Sequence, residues 1–170
     1  MEKYNIEHYT NPELSYHNSL LDKLKVGHLI YNIRQQRIVL VDTAVLEEIL
    51  EYENKKEKTS EPNFVPLYLT HEWLVNVFNF EAKHMDTNGI TVYTSDRNGM
   101  KVHGQRGQFF VGVIIREKIN SKGWKGTHAS KPPICFVNEL MDYCFLLKRD
   151  MITFNEYDLA QINMLMKYNL

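Results

Sequence analysis

Cysteine is scarce in this chain of 170 residues: Cys135 and Cys144 are the two, nine positions apart in an apolar run. That spacing fits neither a zinc site nor the framework of a small secreted domain, so two reduced, buried thiols are expected. A dominant charge is lacking too. Twenty Lys and Arg against twenty-one Asp and Glu leave −1, which gives no global pull towards nucleic acid or a membrane surface. No apolar run approaches the length of a membrane span, and Met1-Glu2-Lys3-Tyr4-Asn5 carries no signal core. A chain made and kept inside a cell, with no membrane partner, is expected.

Catalytic signatures are missing as well. His71-Glu72 has no second histidine four residues on, as a zinc-protease helix needs. There is no His-x-His, no Cys-x-x-Cys, no Asp-rich calcium loop and no phosphate-cradling Gly-x-x-x-x-Gly-Lys run. Ser121, Ser130 and the cysteines stand beside nothing that would activate a nucleophile. Seven histidines leave one metal reading, in which His84, His103 and His128 converge with Asp86 or Asp96. The expectation is a protein with no catalytic residue and no cofactor; a metal-dependent hydrolase built on those histidines is a rival.

What is present is a folding pattern. Pro66 to Phe80 organises the rest: Thr70 is placed to cap a helix, and Leu69, Trp73, Val77 and Phe80 follow helical spacing. Before it, Leu29–Ile33 and Arg37–Val41 read as strands of a hairpin, and Thr43 caps a helical pattern through Tyr52. After it, seven of the eight glycines fall between residues 89 and 126, as suits a meander with tight corners. Gln108–Ile119 is the longest strand candidate, apolar on both faces and therefore expected in the sheet interior. The fold class predicted is α+β in a single domain: an antiparallel meander of about five to six strands against helices near 44–53, 70–79, 138–148 and 156–168. Residues 1–19 read as a polar arm, 20–150 as the domain. Residues 151–170 read as an amphipathic helix whose Leu159, Ile162, Leu165 and Met166 pack on the domain, covering Leu146, or on a second chain.

Charge is unevenly spread. Arg97, Lys101, Arg106, Arg116, Lys118, Lys122, Lys125 and Lys131 face Glu117 alone between residues 97 and 131, a local +7 that leaves −8 for the remainder. Ser121 to His128 reads as a flexible basic loop around Trp124, a composition suited to phosphate contact and base stacking. Gly104-Gln105-Arg106-Gly107 has the spacing of the Gly-x-x-Gly clamp of a KH domain, but that clamp joins helices and strands are expected here.

Three blocks are familiar together. Leu24-Lys25-Val26-Gly27-His28-Leu29-Ile30-Tyr31, the stretch Pro66 to Phe80, and Phe136-Val137-Asn138-Glu139-Leu140-Met141-Asp142-Tyr143-Cys144-Phe145 resemble, in that order, a family of small proteins encoded by phages and mobile elements of gut bacteria. His71 stands where that family usually has an acid, and Met151-Ile152-Thr153-Phe154 replaces its usual Thr-Gly-Glu-Glu close. The resemblance implies provenance, an accessory phage or prophage protein in the cytoplasm of a bacterial host or in a virion, and assigns no chemistry. The expected function is binding through the basic 97–131 surface, to an acidic host or phage protein or to nucleic acid. The alternative is a virion or assembly component forming a homo-oligomer through its last helix.

Overall fold

The computed structural model describes residues 19–55, 62–85, 89–95, 100–105, 107–118, 124–129, 133–148 and 152–168. For residues 84–85, 113–118, 124–129, 147–148 and 166–168 the description stops at the backbone. The expected arm lies outside these residues apart from Ser19, whose hydroxyl donates to the Glu53 carboxylate beside the Leu20 N–H, 2.7 Å from Glu53 Oε1.

The fold is α+β, with two antiparallel sheets in two units. The first unit takes the described residues of Met1–Tyr68, Phe136–Asn138 and Ile152–Leu170; the second takes those of Leu69–Cys135 and Glu139–Met151.

In the first unit β1 (Leu29–Asn32) and β2 (Arg37–Leu40) form the expected hairpin, Leu29 opposite Leu40 and Asn32 opposite Arg37. The Gln35 N–H donates to Asn32 Oδ1 at 2.9 Å and Gln36 takes a φ of 50°, which closes the turn. β3 (Phe64–Val65) pairs with the other edge of β1, so β2 is an edge strand. α1 (Thr43–Glu53) is capped one residue earlier than expected: the Val45 N–H donates to Asp42 Oδ1 at 2.8 Å. A carboxylate both accepts the orphan N–H and meets the positive helix end, so Asp42 takes the position from the adjacent hydroxyl. Leu24, Ile30, Val41, Ile49 and Phe64 form the core. α3 (Glu156–Tyr168) opens on a reciprocal cap between Asn155 and Asp158, both bonds 2.9 Å, and packs on β2. Ile162 is buried by its own chain, Leu159 and Leu165 are half-buried, and of Met166 only the backbone is described. Among the described side chains of α3, the large apolar ones that are exposed are Tyr157 and Met164.

In the second unit the organising stretch is helical but wider than its 3.6-residue apolar stripe implies. The Leu74 N–H reaches Thr70 O at 3.3 Å, while the Phe78 N–H reaches back five residues to Trp73 O at 3.0 Å, making Trp73–Val77 a π-helix. Trp73 and Leu74 are fully buried. Asn79, at a φ of 55°, turns the chain into β4 (Glu81–Met85). β5 (Ile90–Ser95), β6 (Met100–Gln105), β7 (Gln108–Lys118) and β8 (Trp124–Ala129) follow as a plain meander, each pairing with the next. β7 has a neighbouring strand on each side, β6 along Gln108–Val113 and β8 from Gly112 onward. β8 replaces the flexible loop expected around Trp124: pairing with β7 supplies the order that its Lys and Gly content does not advertise. α2 (Val137–Lys148), of which residues 139–148 belong to this unit, buries Leu140, Met141 and Cys144. Leu146, which was expected to be covered, is 71% exposed. The two cysteines are not joined in a disulfide; Cys144 is buried and Cys135 half-buried.

Candidate functional site

The meander sorts the basic candidates by register. β6 begins at Met100, opposite Val113 of β7, so among the described residues Ile114 to Lys118 pair with β8 alone. Ile114 faces Thr127 and Glu117 faces Lys125, which sets Ile115 and Arg116 against the single residue Gly126. This bulge bends and twists the strand. Beyond β6, β7 and β8 therefore form a two-stranded ribbon carrying Arg116, Lys118, Trp124 and Lys125, with Glu117 its one acid. Lys101 is not part of it: it sits within β6, half-buried, opposite Thr94 and Gly112. Arg97, Arg106, Lys122 and Lys131 lie outside the described residues.

The histidines are kept apart. His84, His103 and His128 occupy β4, β6 and β8, every second strand of the sheet. At roughly 4.8 Å per strand spacing, the outer two are about 19 Å apart across the sheet, against about 2 Å for a zinc–nitrogen bond. Register parity adds to this, because His84 pairs with Thr91 and Thr91 with Gly104, whereas His103 is the alternate position on β6. Among the described residues no three His, Cys, Asp or Glu side chains are grouped to hold a metal ion. Asp86 and Asp96 lie outside them.

His103 has a different consequence. Burial, and then the charge of Lys101, hold its imidazolium below the usual value of 6.5. The folded state thus binds this proton less tightly than the unfolded chain, so the contribution is present above 6.5 and lost as pH falls through the lowered value. Urea midpoints should decline between about pH 7.5 and 5.5, and His103→Gln should flatten that decline. An unchanged slope in the variant would remove His103 as the cause.

At the opposite end of the sheet from the ribbon, beside the β4–β5 and β6–β7 turns, lies a pocket of about 380 Å³. Leu69, Thr70 and His71 border one side; Thr91 and Tyr93 of β5, Gly104 and Gln105 of β6, and Phe109 of β7 line the rest, with Gly89 and Gly107 at the turns. Gly89 and Gly107 have φ of +62° and +76°, which favours glycine in these turns. Gly104 is glycine for space: a Cβ there would stand 3.0 Å from Tyr93 Cε2 and 3.2 Å from Phe109 Cε1. The two rings, centroids 6.0 Å apart, close over its backbone.

Tyr93 Oη lies 2.9 Å from His71 Nδ1. Burial pushes the phenol above its usual 10.0; a hydrogen bond with Thr91 acts the other way, and the charge of Glu72 raises it further. The two atoms share one hydrogen bond, whose donor is set by the His71 tautomer. His71 is exposed and borders the pocket. Thr70 holds the approach, its Oγ1 3.4 Å from the Trp73 N.

No family model, curated protein or solved structure matches the chain. A functional reading must come from these two places on the meander. Among the described residues, no helix is long and apolar enough to cross a membrane. Sequence reasoning flagged the ribbon through its charge and missed the pocket, for which the Gly104–Gly107 spacing was a signal.

Proposed function

We propose that the chain is an accessory protein of a phage or mobile element that acts by binding, and that its ligand is nucleic acid gripped by the β7–β8 ribbon. The carrying observation is the ribbon itself: two strands beyond β6 with Arg116, Lys118 and Lys125 beside Trp124. A two-stranded ribbon fits the major groove of a duplex, which is about 12 Å wide. Cations on such a ribbon supply phosphate contacts, and an indole among them supplies a stacking face. An acidic protein needs the charge but gives no reason for the extended ribbon, so the geometry favours nucleic acid.

The test is fluorescence anisotropy of the full chain with labelled duplex and single-stranded DNA and RNA. Three phosphate contacts predict a roughly forty-fold loss of affinity between about 50 and 200 mM salt. Lys118→Glu combined with Lys125→Glu should abolish binding while the far-UV circular dichroism is unchanged. No saturable binding at the lower salt would overturn the nucleic-acid reading. The ribbon would then be a docking surface for an acidic protein, to be titrated with polyglutamate.

A further inference from the structure

The β7–β8 ribbon has two faces, and register sorts its residues between them. Directly opposed residues of an antiparallel pair share a face, and successive residues along a strand alternate. Ile114 opposes Thr127 and Glu117 opposes Lys125; Thr127 and Lys125 are two apart on β8, so all four lie on one face. Lys118 opposes Trp124 on the other face, where Gly126 follows Trp124 along β8. We propose, resting on the nucleic-acid reading of the ribbon, that this second face binds an unpaired strand, with Arg116 and Lys118 on its phosphates and Trp124 against a base.

The bulge does the sorting. Three steps along a regular strand would put Ile114 and Glu117 on opposite faces. The extra residue returns Glu117 to the face of Ile114 and sets both Ile115 and Arg116 opposite Gly126, on the face of Lys118 and Trp124. The ribbon's one acid thus stands against Lys125 as an opposite-charge cross-strand pair. The second face is left with two cations and no acid of its own. Within the sheet this same face closes the core: Val113, opposite His128, is on it, and by alternation so are the buried Val111 and Phe109. Two cations without a counter-charge are costly to cover, so from Arg116 onward the face is suited to water and to an anionic ligand.

The ribbon's width admits a duplex groove, but the indole decides the form. An unpaired strand offers free base faces, and an aromatic ring takes any of them. In a duplex those faces are already stacked, and reaching one costs unstacking. Opposed residues stand about 5 Å apart, so a phosphate held at Lys118 brings the base of its own nucleotide within reach of Trp124. Gly126 puts no side chain on this face between Trp124 and His128, which leaves space for a neighbouring base. Stacking together with phosphate contact is tolerant of sequence, so little base preference is expected.

The experiment compares labelled oligothymidylate, oligouridylate and a mixed-sequence DNA duplex against the full chain, by anisotropy and by quenching of tryptophan emission. Both single strands should bind about tenfold more tightly than the duplex. They should also quench emission, and because Trp73 is 0% exposed, the quenched part should vanish in Trp124→Ala. That variant should bind about tenfold more weakly, with Trp124→Phe retaining most of the affinity. Two phosphate contacts on a single strand predict a roughly sevenfold loss between about 50 and 200 mM salt, against roughly forty-fold for three on a duplex. Lys118→Ala should weaken single-strand binding about fivefold, and Lys125→Ala, on the face of Glu117, less than about twofold. Should Trp124→Ala lower the urea midpoint, the two lysine variants carry the test, since both keep the ring. A duplex bound as tightly as the single strands, or equal losses for Lys118→Ala and Lys125→Ala, would overturn the single-strand assignment and leave the nucleic-acid reading standing. So would emission unquenched at saturation, which would make Trp124 a core residue. No binding of any of the three would overturn both readings.

Discussion

Trp73→Ala is expected to destabilise the protein by about 3–5 kcal/mol, the usual cost of truncating a large buried aromatic, and to lower Tm by roughly 10–15 °C. Trp73 is 0% exposed, and its ring lies 6.2 Å from that of Phe78, the residue whose N–H closes the π-turn on Trp73 O. Losing the ring removes both the packing of the second unit and the contact that stiffens the turn. Trp73→Phe is the informative partner. Nε1 is buried and has no hydrogen-bond partner among the described residues, a burden on the order of 1–3 kcal/mol that phenylalanine does not carry. That relief offsets much of the lost ring volume, so Trp73→Phe should cost less than about 2 kcal/mol. Urea denaturation followed by circular dichroism measures both, since tryptophan fluorescence would mix in Trp124. Equal losses for Ala and Phe would mean that Nε1 has a partner after all. A loss below about 1 kcal/mol for Ala would remove Trp73 from the core.

The same residues show how far the sequence could be read. The 3.6-residue stripe through Leu69, Trp73, Val77 and Phe80 correctly placed a helix with Trp73 inward, because burial depends on which side chains are apolar. It could not reveal the five-residue bond from Phe78 to Trp73, which leaves composition untouched. Turns were legible where the chemistry is local, as at Gly89. Strands were legible where one face is buried. β4 has no apolar alternation because it is an edge strand whose Glu81, Ala82 and Lys83 are all exposed, and β8 read as a loop for want of the β7 partner that orders it.

The pocket was harder still. Its walls come from Leu69, Thr70 and His71, from Gly89, Thr91 and Tyr93, and from Gly104, Gln105, Gly107 and Phe109, and what joins them is register: Thr91 opposite Gly104, Gly104 opposite Phe109. A one-residue slip would put His103 where Gly104 lies, and its side chain would collide with the Tyr93 and Phe109 rings. The histidine cluster failed as an idea for the same reason. Spacing along the chain says nothing about which strands alternate between His84, His103 and His128.

Asn163→Leu is expected to cost about 2–3 kcal/mol, the combined loss of three partly buried hydrogen bonds at roughly 1 kcal/mol each. β2 is an edge, and an edge leaves peptide groups without a neighbouring strand. Asn163 supplies the missing strand with one side chain. Its Oδ1 accepts from the Ile38 N–H at 2.7 Å, and its Nδ2 donates to Ile38 O at 3.0 Å and to Leu159 O at 2.8 Å. Leucine keeps the bulk and removes every one of these bonds, leaving the N–H and C=O of Ile38 unpaired beneath α3. Asn163→Asp keeps the acceptor and loses the donor, so it should fall between leucine and the native chain, and hydrogen exchange at the Ile38 amide should speed up far more in the leucine variant. The outcome bears on assembly too. With α3 held by this clamp, Ile162 is covered by its own chain; with the clamp cut, the helix can lift and present Leu159, Ile162 and Leu165 to a second copy. Sedimentation of Asn163→Leu should then show stronger concentration-dependent association than the native protein. Association already present in the native chain, and unchanged by the variant, would instead assign self-assembly to the exposed Tyr157 and Met164.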